Sequence, residues 1–127
     1  MNIALWIVSG LLAALAFVSG NIKVFTPPVK LAQSPGGQWT ATASGGIIKT
    51  LGVLEILAAL GLILPAVLGI APAMVPVTAV CWALLMVGAI IVHIRDGEYK
   101  VITLNVVHLA MAAFVVWGRF VLEPLTA

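Results

Sequence analysis

Along the chain, polar positions are scarce and cluster between four apolar runs, at about residues 3–25, 46–65, 72–94 and 101–122. Each run is close to the roughly 20 residues that a helix needs to cross a hydrocarbon core of about 30 Å. The pattern therefore predicts an all-α integral membrane four-helix bundle, read as a single domain over residues 1–127. Pro27 and Pro28 close the first run and Pro65 the second, because proline lacks an amide and restrains the residue before it. Pro72 and Pro76 suit the opening turn of the third, where a missing amide matters least. Between the first two runs, residues 27–45 are rich in Gly, Pro, Ser and Thr and too polar to span. They are expected to form a long first connecting loop that lies at the interface, with Trp39 as an anchor, or folds partly over the bundle.

Composition sharpens this picture. The chain is 63% hydrophobic and 8% charged, with a mean hydropathy of +1.24, whereas about a quarter of a typical soluble domain is charged. The net charge of +2 sits in connections, without the basic runs interleaved with aromatics that nucleic-acid binding would require. The first run has no basic leader and is read as a transmembrane helix, not a signal peptide. Cys81 is the single cysteine, which excludes a disulfide framework or a Cys-x-x-Cys pair, and it is expected to be a buried, inert thiol. No metal site is expected.

Chemistry enters through Glu55, a carboxylate about two turns into the second run. An acid at membrane depth is expensive unless it is paired or protonated, and is by default a functional candidate. At helical spacing its neighbours are Leu51, Gly52, Ala58, Ala59 and Leu62, so it should lie on a packing seam and not on a lipid face. On the first helix, Ser9-Gly10 and Ser19-Gly20 recur ten residues apart and place small residues on nearly one inward face. Lys23 follows, either as a snorkelling anchor or as the partner of an acid. An up-and-down tracing brings Lys23, Lys30, Lys49, Glu55, His93, Arg95, Asp96, Glu98, Lys100 and Asn105 to one end of the bundle. The best constellation is a Glu55 site roofed by His93 and Lys23, with Asn105 as a neutral hydrogen-bonding partner. His108 lies about 10 Å deeper than His93 along the rise of the helix, which argues against the two as paired haem or metal ligands. At the far end, Arg119 and Glu123 stand four apart as an interfacial pair. Lysine and arginine counts in the connections point to a cytoplasmic polar end with both termini outside.

The residues at the joints of these runs form a familiar set. SGNIKVF follows the first span, GVLEILAALGLILP fills the second, MVGAIIVHIRDGE closes the third, and the last ends in Gly118-Arg119. In this order the chain resembles the DoxX-like family of small four-span membrane proteins. The resembling positions are Gly20, Lys23, Gly52, Glu55, Gly61, Pro65, His93, Arg95 and Glu98; among them Gly20, Gly52, Arg95 and Glu98 are expected to support the site. The resemblance implies a multi-pass protein, expected in a bacterial cytoplasmic membrane. It also implies an association with quinone-linked oxidation of sulfur compounds, oxidative-stress complexes or receptor assembly.

Two functions follow as expectations. In the first, Glu55, His93, Lys23 and Asn105 bind the polar head of a quinone, lipid or other small hydrophobic molecule, making the chain a binding or accessory subunit of a membrane redox system. In the second, the polar cluster is structural, and the small-residue seams pack against a larger membrane complex or a second copy of the chain. A transporter is disfavoured, since there is no internal repeat or broken helix.

Overall fold

In lipid a chain must satisfy its backbone amides within itself, and a run of some 20 apolar residues can do so only as a helix. The computed structural model describes residues 1–34, 37–41 and 43–125, and four helices in it are long and apolar enough to cross a membrane. These are α1 (Asn2–Phe25), α3 (Gly45–Leu68), α4 (Met74–Arg95) and α5 (Tyr99–Trp117), the last continued by a π-helical turn over Gly118–Leu122. The protein is a multi-pass membrane bundle.

The connection between α1 and α3 is not the long loop that its composition predicts. Pro28–Ala32 forms the short helix α2 and Gln38–Ala41 a 3-10 turn. Pro28 occupies the first position of α2, where its fixed φ favours helix and its missing amide costs nothing. Leu31 and Thr40 are buried, and the Thr40 hydroxyl donates to the Gly37 carbonyl at 2.6 Å. Residues 35, 36 and 42 of this connection lie outside the described residues.

Helix ends follow local chemistry. Ser44 caps α3 by accepting from the Ile47 amide at 3.2 Å, a standard means of satisfying a free N-terminal N–H. The helix passes through Pro65 and stops at Gly69, in the left-handed conformation at φ 68°. Pro65 thus sits inside α3, one turn before the end that it was expected to make, and its carbonyl takes the Ile70 amide at 3.2 Å. Helix α4 closes on Gly97, at φ 73°, with the Gly97 amide bonded to Ile94 and the Glu98 amide to His93, the double bond of a Schellman turn. A Cβ at this φ costs about 1–2 kcal/mol, so Gly97→Ala is expected to lower unfolding free energy by that amount in mixed-micelle denaturation. An unchanged midpoint would show that the turn does not hold this geometry.

Burial follows one stripe per helix. Leu5, Ser9, Leu12, Ala13, Ala16 and Gly20 are buried on α1, and Ile48, Gly52, Glu55, Ala59 and Leu62 on α3. Trp82 and Met86 of α4 and Ala112 and Val115 of α5 join them in the core. The opposite faces carry exposed Leu, Ile, Val and Phe, as expected where lipid is the solvent. Cys81 is on such a face; it is exposed, in contrast to the buried thiol expected, because it precedes inward-facing Trp82 by one position. Helix α3 packs most closely on α1, and α4 on α5; the α3–α4 seam is more open.

Candidate functional site

Gly20 and Gly52 bring α1 and α3 into backbone contact. A Cβ on Gly20 would lie 2.6 Å from the Gly52 carbonyl oxygen, and one on Gly52 would lie 2.8 Å from that of Gly20. About one turn further on α1 stands Lys23, and on α3 Glu55, so the close crossing delivers their side chains to each other. Lys23 Nζ is 2.9 Å from Glu55 Oε2 and donates to Oε1 at 3.2 Å. Ser19, one turn before Lys23, donates to the same Oε1 at 2.7 Å and accepts from Nζ at 2.8 Å. The result is a closed triangle of ammonium, hydroxyl and carboxylate. Its one opening is Oε2, which has the ammonium close by but no hydrogen bond in good geometry. Glu55 is buried, so the pair is screened only weakly. Nearby, Lys49 donates to the Val24 carbonyl at 2.9 Å, satisfying a free carbonyl in the last turn of α1.

The triangle forms one wall of a cavity of about 290 Å³ whose lining includes Ser19, Lys23, Trp39, Glu55, His93 and Asn105. All four residues singled out as ligand candidates therefore border one space, but they are not joined as the sequence suggested. His93 is turned to its own helix end, with Nδ1 3.3 Å from Glu98 Oε1, an arrangement that ties the α4–α5 turn. Arg95 is exposed beyond the cavity rim. Asn105 Nδ2 has no hydrogen-bond partner although it is buried.

Three lining residues were missed as members of the site. Ser19 was read only as a small packing residue, although its place four before Lys23 could have marked it. His108 was discounted as a partner of His93 for its depth, yet it borders the cavity. Trp82 carried no sequence signal; its ring stacks on His108 with centroids 6.0 Å apart. Both have a buried, unpartnered nitrogen, Nε1 of Trp82 and Nδ1 of His108. A buried N–H without a partner costs of order 1–3 kcal/mol. Trp82, Asn105 and His108, each with a buried side-chain nitrogen that lacks a hydrogen-bond partner, thus line one cavity beside the Lys23–Glu55 pair. The Trp82 indole N–H and the Asn105 amide nitrogen can only donate.

The opposite end of the bundle is different in kind. Arg119 is buried, donates to Asn2 Oδ1 at 2.7 Å and to the Glu123 main-chain carbonyl at 3.1 Å, and lies over the Trp6 ring at 5.8 Å. The side-chain pair expected with Glu123 is replaced by these contacts, because the π turn at Gly118–Leu122 rotates Arg119 inward. Among the described residues no group of three His, Cys, Asp or Glu side chains could hold a metal.

A small four-span helical bundle with a polar cavity at one end defines the class of this membrane protein. The profile of the DoxX-like family matches residues 7–115, and the chain belongs to that family. No curated protein and no solved structure matches it.

Proposed function

We propose that the protein is a binding subunit for a neutral, carbonyl-bearing hydrophobic molecule such as a quinone, held by its head in the cavity between α1, α3, α4 and α5. One observation carries the reading: Trp82 and Asn105, each with a buried side-chain nitrogen that lacks a hydrogen-bond partner, line one cavity. Donors in that state favour an acceptor that arrives with the ligand. Lys23 and Glu55 offset each other's charge, so a neutral head suits the cavity better than an ionic one. The lysine and arginine count in the connections favours an orientation with this end at the cytoplasmic face.

The test is native mass spectrometry of the protein extracted in mild detergent, with decylubiquinone as the added probe. The wild type is expected to retain the quinone. Asn105→Leu should weaken binding by about tenfold, the equivalent of one good hydrogen bond, while leaving thermal stability unchanged; Arg95→Ala should leave both unchanged. A wild type that takes up no quinone, or an Asn105→Leu protein that binds it equally well, would overturn the proposal.

A second reading rests on the Lys23–Ser19–Glu55 triangle, which is complete without a ligand. In that reading the cluster pins α1 to α3, and the chain serves as an assembly or structural subunit against a larger membrane complex or a second copy. It predicts a stoichiometric protein partner, and no quinone, in the same extract.

A further inference from the structure

The proposed cavity does not end at its polar atoms. Leu51, Trp82 and Leu85 line it on one side and line a second, larger hollow of about 670 Å³ on the other. The second hollow is a groove between α3 and α4, which pack less closely than α1 on α3 or α4 on α5. Leu51 to Gly61 on α3 and Leu85 to Met74 on α4 span about 15 Å at the helical rise. The groove therefore starts beside the head cavity and runs away from the polar end, deep into the apolar part of the bundle. Apart from Thr78 and the indole of Trp82 its side-chain lining is hydrocarbon and sulfur, and the exposed Leu54, Leu57 and Leu84 border it.

A polar cavity that continues into an apolar groove along the membrane normal has the shape and polarity of an amphiphile. We infer that the ligand is a single-chain amphiphile whose uncharged carbonyl head fills the cavity and whose hydrocarbon tail lies in the α3–α4 groove, passing the edge of Trp82. The inference rests on the proposed head site and adds the tail, its route and the requirement for one. Trp82 links the two parts, with its ring buried against His108 and its side chain facing both hollows. Bulk lipid chains could also lie in an open groove, but their occupancy would not depend on Asn105 at the head.

Cys81, the single cysteine, lines the groove and is exposed, so it reports the tail without engineering. In the purified full-length protein, decylubiquinone is expected to slow maleimide modification of Cys81. The tail-less analogue, with methyl in place of decyl, should give no protection of its own but should displace decylubiquinone and restore reactivity. Ala58 borders only the groove. Ala58→Phe should weaken decylubiquinone by at least about tenfold, the loss of some two buried methylenes, with binding of the tail-less analogue unchanged in equilibrium dialysis. If both quinones bind and Cys81 reacts at full rate, the tail route is overturned while the head site stands. If neither binds, the proposed function falls and this inference with it. Protection that persists in Asn105→Leu would identify a lipid chain held without the head, and would also overturn it.

Discussion

Lys23→Met is expected to destabilise the bundle by about 3 kcal/mol, toward the lower end of the range for stranding one member of a buried ion pair, and Glu55→Gln in the same chain should restore most of the loss. The reason lies in how unequal the two partners are. The Glu55 side chain keeps 4% of its surface exposed and Lys23 keeps 22%, so without the ammonium the carboxylate stays in an apolar seam with only the Ser19 hydroxyl. Glutamine at position 55 removes the charge but can still accept from Ser19. The quantity to measure is unfolding free energy in mixed micelles for wild type, both single variants and the double variant, closed as a cycle. A double variant as unstable as Lys23→Met would place the loss in the packing of the lysine stem rather than in a stranded charge. A neutral Lys23→Met would remove the pair from the account of what holds α1 to α3.

That cycle also bears on which parts of the site were legible in the sequence. Glu55 stood out because a carboxylate in an apolar run needs an explanation, and Lys23 because it is the one charge on its helix; their meeting followed from antiparallel tracing. Four spans and their ends were readable from hydropathy and proline placement, since in lipid an apolar run has few alternatives to helix. Pro65 shows the limit: its ring was read as a stop, but α3 tolerates it for one more turn until Gly69 takes the left-handed cap. The connection after α1 misled for a related reason. Its Gly, Pro and Ser content argued for loop, whereas Pro28 at a helix start and buried Leu31 order it.

The unpartnered nitrogens were not legible, because they depend on rotation about helix axes. Asn105 was chosen for depth alone; it lines the cavity, but depth was silent about its partner, and its Nδ2 has none. The depth of His108 argued against its sharing a metal or haem with His93, but it did not bear on whether both border one cavity, as they do. Trp82 looks like any core aromatic until its ring is found between two hollows. Gly20, Gly52, His93 and Glu98, four of the positions that carry the family resemblance, turn out to be joints: two form the α1–α3 crossing and two tie the α4–α5 turn. Resemblance at such positions speaks for the fold that frames the cavity, and the residues that would grip a ligand lie mostly outside those motifs.

The crossing itself gives the second large effect. Gly20→Ala should destabilise the protein by about 1–3 kcal/mol, the range for overpacking a tight interior, whereas Gly10→Ala on the same helix should be neutral or slightly stabilising. The chemical change is the same, one methyl group with better helix propensity than glycine, so only the surroundings differ. At Gly20 the new Cβ would meet the Gly52 carbonyl oxygen at 2.6 Å and Ile56 Cγ1 at 2.7 Å; at Gly10 nothing lies within 4 Å. A carbonyl on a helix axis cannot swing aside like a side chain, so α1 and α3 must part. Parting also draws Lys23 and Ser19 away from Glu55, which joins the stability loss to the cavity wall. Gly52→Ala strikes the Gly20 carbonyl at 2.8 Å from the other side, and in the double variant the second methyl enters a gap already opened, so the two losses should sum to less than their parts. Equal, small effects at Gly10 and Gly20 in micelle unfolding would mean that the helices do not touch here. If the helices do part, Gly20→Ala should also weaken decylubiquinone binding although Gly20 itself does not line the cavity, because Ser19 and Lys23 on one side of the crossing and Leu51 and Glu55 on the other move with it.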